Sequence, residues 1–90
     1  MNVRNISLKN LGTVNKNLVT IRREDQSPIY LYFSYETVVG IEVGGITHCR
    51  QNDWGPTTGK LLNEIEPDKT KRLPEAEFTT ILNSLFTQNL

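Results

Sequence analysis

Residues 34–60, SYETVVGIEVGGITHCRQNDWGPTTGK, decide the fold. Val38–Val43 and Ile46–Arg50 are apolar, β-branched runs either side of Gly44-Gly45. Two adjacent glycines supply the positive-φ positions of a two-residue hairpin turn. Gly40 inside the first run marks a bulge. After Asn52-Asp53-Trp54-Gly55-Pro56 the period changes. Thr57 or Thr58 caps a helix through its side-chain oxygen, and the spacing predicts that helix over Gly59–Glu66, burying Leu61, Leu62 and Ile65. Pro67 ends it.

Working upstream, Ile29-Tyr30-Leu31-Tyr32-Phe33 is the strongest strand signal in the chain, aromatic and branched with no breaker. A polar turn, Glu24–Pro28, separates it from the β-branched run Leu18–Arg23. Val3, Ile6 and Leu8 give a further strand before the turn at Asn10-Leu11-Gly12. Downstream, Asp68–Leu73 reads as a charged linker, and Pro74 suits a first helical position. Phe78, Ile81, Leu82, Leu85 and Phe86 then fall at i, i+3, i+4, i+7 and i+8, one apolar face of a surface helix. Strands followed by helices predict one α+β domain over residues 1–90. It is a mainly antiparallel sheet of four to five strands, then one short and one longer C-terminal helix, both packed on one face.

Ninety residues suffice for one modest core. Ten Lys and Arg balance ten Asp and Glu, so the chain is neither an acidic nucleic-acid mimic nor a strongly basic coat. One cysteine, Cys49, allows no internal disulfide, which suits a reducing cytoplasm. The N-terminus lacks an apolar signal region, and the apolar runs are too short to cross a bilayer. A cytoplasmic protein without membrane association is expected.

Gly55-Pro56-Thr57-Thr58-Gly59-Lys60 looks like a phosphate loop but has three residues between the glycines instead of four. Leu61 also stands where a magnesium-holding hydroxyl belongs. A turn and helix start explain it, with a weak anion site at the helix N-terminus, helped by Lys60, as the alternative. His48 and Cys49 are adjacent on a strand, so they point to opposite faces and cannot act as base and nucleophile. One His and one Cys are too few for a zinc site. Glu64, Glu66 and Asp68 read as a solvated helix end. No enzyme, metal or cofactor is expected.

Binding residues are more visible. If Ile29, Leu31, Phe33 and Tyr35 face the core, Tyr30 and Tyr32 turn outward together. They then form an amphipathic patch bordered by Arg22 or Arg23, or else cross-strand pairs supporting the sheet or a surface covered by a helix. Trp54 either caps the sheet–helix junction or is an exposed anchor, and Lys60 follows at the helix start. Lys69, Lys71 and Arg72 add a basic cluster, interleaved with acids.

Ser34-Tyr35-x-Thr37-x-Val39, then Asn52-x-Trp54-x-x-Thr57-Thr58-x-Lys60, resembles a group of small phage and mobile-element proteins. They share a Ser-Tyr-x-Thr-x-(Val/Ala) strand and an Asn-x-(Trp/Tyr)-Ser-x-Thr-Thr-x-(Lys/Arg)-His helix start. The match covers about a third of the chain, and Gly55 and Leu61 depart from the pattern. The resemblance implies a viral or mobile-element origin and a host factor as partner. The expected function is a small phage-like protein-binding module in the host cytoplasm: a stoichiometric anti-defence inhibitor, of the anti-CRISPR type. It would occlude a functional surface of a host protein such as a defence nuclease complex through Tyr30, Tyr32, Arg22, Arg23, Trp54 and Lys60. The alternative is a nucleic-acid-binding accessory protein using the same aromatics and arginines. Homodimerisation stays open.

Overall fold

The computed structural model describes residues 3–13 and 15–88. Strands β1 (Val3–Asn10), β2 (Lys16–Arg23), β3 (Gln26–Ser34), β4 (Thr37–Val43) and β5 (Ile46–Cys49) form one antiparallel sheet in chain order. Helix α1 (Pro56–Ile65), a single 3-10 turn at Lys69–Lys71 and helix α2 (Glu75–Gln88) follow. This is the expected α+β arrangement. Among the described residues no helix is long and apolar enough to cross a membrane.

The register sorts side chains into rows that cross the sheet. Ile6, Ile21, Ile29, Val43 and Ile46 form one row, and Leu8, Val19, Leu31, Ile41 and His48 the next. These rows face α2, and Phe78 is buried with Ile21, Ile29, Leu31 and Ile41. On the reverse face, Leu18, Tyr32, Gly40 and Cys49 share a row. There Val39 and Cys49 are buried with Leu61 and Leu62 of α1, and Tyr32 and Ile65 pack against them.

The two helices therefore cover opposite faces of the sheet, whereas the sequence predicts both on one face. The bulge explains the difference. Tyr32 pairs with Gly40 and Phe33 with Val38, leaving Val39 as the extra residue of β4. An extra residue resets the alternation, so Val39 turns to the α1 side while Val38 and Ile41 keep to the α2 side.

Other boundaries also moved. Gly44 and Gly45 adopt φ of 59° and 79°, as the hairpin requires. Helix α1 begins at Pro56, ahead of the expected Gly59, with Gly55 as N-cap and no side-chain cap. A proline fits the first helical position because its missing N–H would be unbonded there. Thr58 is inside the helix instead, and its hydroxyl lies 2.7 Å from that of Ser34 in the buried contact with β3. Pro74 precedes α2, and its carbonyl accepts the Phe78 N–H at 3.0 Å.

Tyr35, expected in the core, occupies the β3–β4 turn at φ 55° with 59% of its surface exposed. Ser34 pairs with Thr37, so Tyr35 falls beyond the strand whose alternation would have buried it. The linker after α1 returns to the sheet. Leu73 bridges Arg50 in parallel fashion, its N–H donating to the Cys49 carbonyl at 2.8 Å while Gln51 N–H donates to the Leu73 carbonyl at 2.7 Å.

Candidate binding surface

On the α1 side, helix α1 packs over the row containing Tyr32, Gly40 and Cys49. The neighbouring row is Ser7, Thr20, Tyr30, Glu42 and Thr47, and none of these belongs to either apolar cluster. Ser7 and Thr47 are exposed, Tyr30 and Glu42 half-buried, and Thr20 buried among them. Alternation puts Tyr30 opposite the α2 core because Ile29 and Leu31 on either side are held in it. The expected pair of outward tyrosines thus separates into two roles. Tyr30 lies on the polar row, whereas Tyr32 packs against the cluster of Val39, Cys49, Leu61 and Leu62 beneath α1. Burial, then Glu42, then Tyr30, raises the Tyr32 phenol above its ordinary pKa.

Beyond Tyr30, at the β2–β3 turn, Arg4, Asn5, Arg22, Arg23, Gln26 and Pro28 line an open cavity of about 480 Å³. Arg22 and Arg4 are exposed. Arg23 is buried and fixed: its Nε and Nη2 donate to the Ser27 carbonyl at 3.0 and 2.6 Å, and Nη1 to Gln26 Oε1 at 2.6 Å. Three arginines therefore line one notch, with no carboxylate among its described lining residues. Arg22 and Arg23 were legible as candidates. Arg4 was not, because only the β1–β2 register, with its irregularity between Val3 and Asn5, brings it to Arg22 across the strands.

Strands β1 and β2 also carry Lys9 and Lys16, so their five charged side chains are all cationic. Within the sheet and its turns the described carboxylates are Glu24 and Asp25 at the β2–β3 turn, Glu36 at the β3–β4 turn and Glu42 on β4. At the sheet edge facing an anionic partner, such a field accelerates encounter and fixes orientation.

Trp54 and Lys60 belong to a different locus. The Arg50 guanidinium stacks on the Trp54 ring, 4.5 Å from its centroid, and its Nη2 reaches Asp53 Oδ2 at 3.0 Å and Glu75 Oε2 at 3.8 Å. The Arg50 Nε is buried without a hydrogen-bond partner. Asn52 Oδ1 accepts the Trp54 N–H at 2.9 Å, closing a local turn. Trp54 keeps 41% of its surface exposed, with one side resting on Arg50. Lys60 is exposed on α1.

His48 and Cys49 point to opposite faces as expected. His48 shares the Ile41 row, and Cys49 sits in the α1 cluster. Burial pushes the Cys49 thiol up to about 11, with Arg72 lowering and Glu66 raising it by smaller amounts. A thiol held so far above neutrality supplies little thiolate. Among the described residues no group of three or more His, Cys, Asp or Glu gathers as a metal site.

Compared with known proteins, residues 1–80 match a family described as a family of unknown function, DUF8033. No curated protein matches, and no solved structure matches.

Proposed function

The chain belongs, through residues 1–80, to the family of unknown function DUF8033. We propose that it is a non-catalytic module that binds an acidic patch on a partner protein. The carrying observation is the notch of Arg4, Arg22 and Arg23, open to solvent and with no carboxylate among its described lining residues, beside the half-buried Tyr30. Guanidiniums pair carboxylates in bidentate fashion, and a tyrosine beside them supplies rigid apolar contact, the combination from which binding hot spots are built.

The partner is a host protein, with a component of a defence nuclease complex as the concrete form. This rests on the resemblance of Ser34–Lys60 to small phage and mobile-element proteins. The mechanism is occlusion: the polar row and the arginine notch cover a functional surface in the host cytoplasm, one chain per site. A non-catalytic role is supported by the separation of His48 from Cys49 and by the raised Cys49 thiol.

One observation favours a second reading. Arg4, Lys9, Lys16, Arg22 and Arg23 on adjacent strands would also suit a phosphate backbone. Salt separates the two. A protein gripped through Tyr30 and a few ion pairs loses affinity modestly with salt, whereas a backbone contacted at several phosphates loses it steeply. The experiment is capture of partner from host lysate by the wild-type chain and by Arg4→Glu/Arg22→Glu and Tyr30→Ala variants, alongside titration with random single-stranded DNA and RNA. Each anchor lost should weaken partner binding by roughly thirtyfold, an expectation of 2 kcal/mol or more per hot-spot residue. Undiminished capture by the charge-reversed variant overturns the assignment, and tight, steeply salt-dependent nucleic-acid binding transfers it to the second reading.

A further inference from the structure

We infer that β1 is a dimerisation edge, and that two copies of this chain join β1 to β1 in one continuous ten-stranded antiparallel sheet. Among the described residues β1 pairs only with β2, and every residue of it is exposed. Half of the backbone N–H and C=O groups of an edge strand point away from its neighbour, a template for a further strand. Ile6 and Leu8 are 64% and 71% exposed, yet they stand in the same rows as the buried Ile21, Ile29, Leu31 and Ile41. The apolar face thus continues past the core and stops at solvent.

The identity of the occupant comes from the sequence of the strand. A two-fold axis perpendicular to the sheet pairs residues whose numbers have a constant sum, and only an even sum keeps paired side chains on one face. Centred on Ser7, the strand is symmetric in character. Ile6 meets the partner's Leu8, Leu8 meets the partner's Ile6, and the cations Lys9 and Arg4 each lie opposite an asparagine, Asn5 and Asn10.

Neighbouring registers are worse. Centring on Ile6 sets Leu8 against the partner's Arg4, and centring on Leu8 sets Ile6 against the partner's Asn10. In the Ser7 register four exposed aliphatic side chains close together and no two cations oppose each other directly. Both rows then run on across the axis, Ile21-Ile6 into the partner's Leu8-Val19, and Thr20-Ser7 into the partner's Ser7-Thr20. A foreign strand has no reason to match this symmetry, whereas a second copy matches it by construction.

The interface carries cations and no carboxylate, so salt should screen its residual repulsion and strengthen the dimer, the opposite of its effect on an acidic partner in the arginine notch.

The test measures mass in solution by sedimentation equilibrium for wild type, Leu8→Lys and Ser7→Cys. Leu8 is exposed in the single chain, so Leu8→Lys leaves the core untouched, and circular dichroism verifies that it folds. Wild type should show the mass of two chains, with the dimer fraction rising with salt, and Leu8→Lys that of one. Ser7→Cys should form an intermolecular disulfide on oxidation while Lys9→Cys, displaced from the axis, does not, since bridging needs Cα atoms within about 7 Å. A monomeric wild type at concentrations up to about 100 μM overturns the inference, since affinity weaker than that leaves the edge unpaired in practice. A dimer that survives Leu8→Lys, or cross-links equally through both cysteines, overturns the β1 register. A monomer whose capture of a partner depends on Leu8 assigns the edge to a foreign strand, and that too overturns it.

Discussion

Gly40→Ala tests how α1 is seated. Gly40 lies between Tyr32 and Cys49 in its row, and a Cβ built on it would meet Ile65 Cδ1 at 3.0 Å, Ile65 Cγ2 at 3.1 Å and Tyr32 Cβ at 3.4 Å. Carbon atoms prefer about 3.5–4.0 Å, so the two Ile65 contacts are overlaps that something must relieve. Overpacking a filled site costs about 1–3 kcal/mol. Ile65 is half-buried in the last turn of α1, so its side chain can give way, which argues for the lower half of that range. The φ of Gly40 lies outside the left-handed region, so alanine meets no backbone strain there. Replacing glycine by alanine also restricts the unfolded chain, which offsets about 0.4–1 kcal/mol.

The net expectation is destabilisation of about 1 kcal/mol in urea denaturation, or about 4–8 °C in Tm for a domain of this size. Ile65→Ala removes the overlapping atoms, so Gly40→Ala should cost measurably less in that background, with a coupling of at least about 0.5 kcal/mol. A neutral or stabilising Gly40→Ala, or strict additivity with Ile65→Ala, would show that α1 does not sit on this row.

The buried Ser34–Thr58 hydroxyl pair ties β3 to α1 at 2.7 Å, so Ser34→Ala should cost about 1–3 kcal/mol by leaving the Thr58 hydroxyl unpartnered. Ser34→Ala combined with Thr58→Val should cost less than the two single losses added, and a denaturation series in which they simply add would remove the pair as a link. Cys49, 2% exposed and with its thiol at about 11, should resist iodoacetamide at pH 8 in the native chain and react once denaturant is added. Rapid native labelling would contradict that burial. Tyr32 has a folded pKa above the unfolded value of about 10, so its contribution to stability is fully present below pH 10 and lost as pH rises through the folded pKa. Tyr32→Phe should flatten that alkaline limb, and an unchanged slope in pH-dependent unfolding would mean the phenol titrates freely.

What the sequence disclosed was local chemistry. Gly44-Gly45 announces a hairpin because few other residues accept those φ values. Pro67 follows the last turn of α1, and the apolar spacing from Phe78 to Phe86 gives α2 its buried side. What it concealed was set by register and distance. Splitting the helices between two faces depends on a single extra residue, Val39, although apolar residues at both parities of Val38–Val43 already hinted that each face needed cover. Arg4 and Arg22 are far apart in sequence, and only pairing across strands brings them into one cavity. Arg72, read as part of a charged linker, is buried because its Nε reaches the Glu66 carbonyl at 3.0 Å and its Nη2 the Asn63 amide oxygen at 2.7 Å, partners that exist only after α1 has formed. The Ser34 and Thr58 motifs, suggestive of a function when read in sequence, meet each other in the interior. Part of that pattern is architecture.

The parallel bridge between Arg50 and Leu73 has a consequence for how the molecule can multiply. β5 is four residues long, and the backbone at its C-terminal end is already taken by Leu73, so the sheet is blunted on that margin and accessible along the eight residues of β1 on the other. A sheet with two receptive margins has a valence of two and polymerises without limit, the geometry of a fibre. With one receptive margin the valence is one. Growth by strand addition then ends when two margins meet, and a chain that presents an apolar, unsheathed strand is kept from runaway aggregation by a short segment at its opposite side.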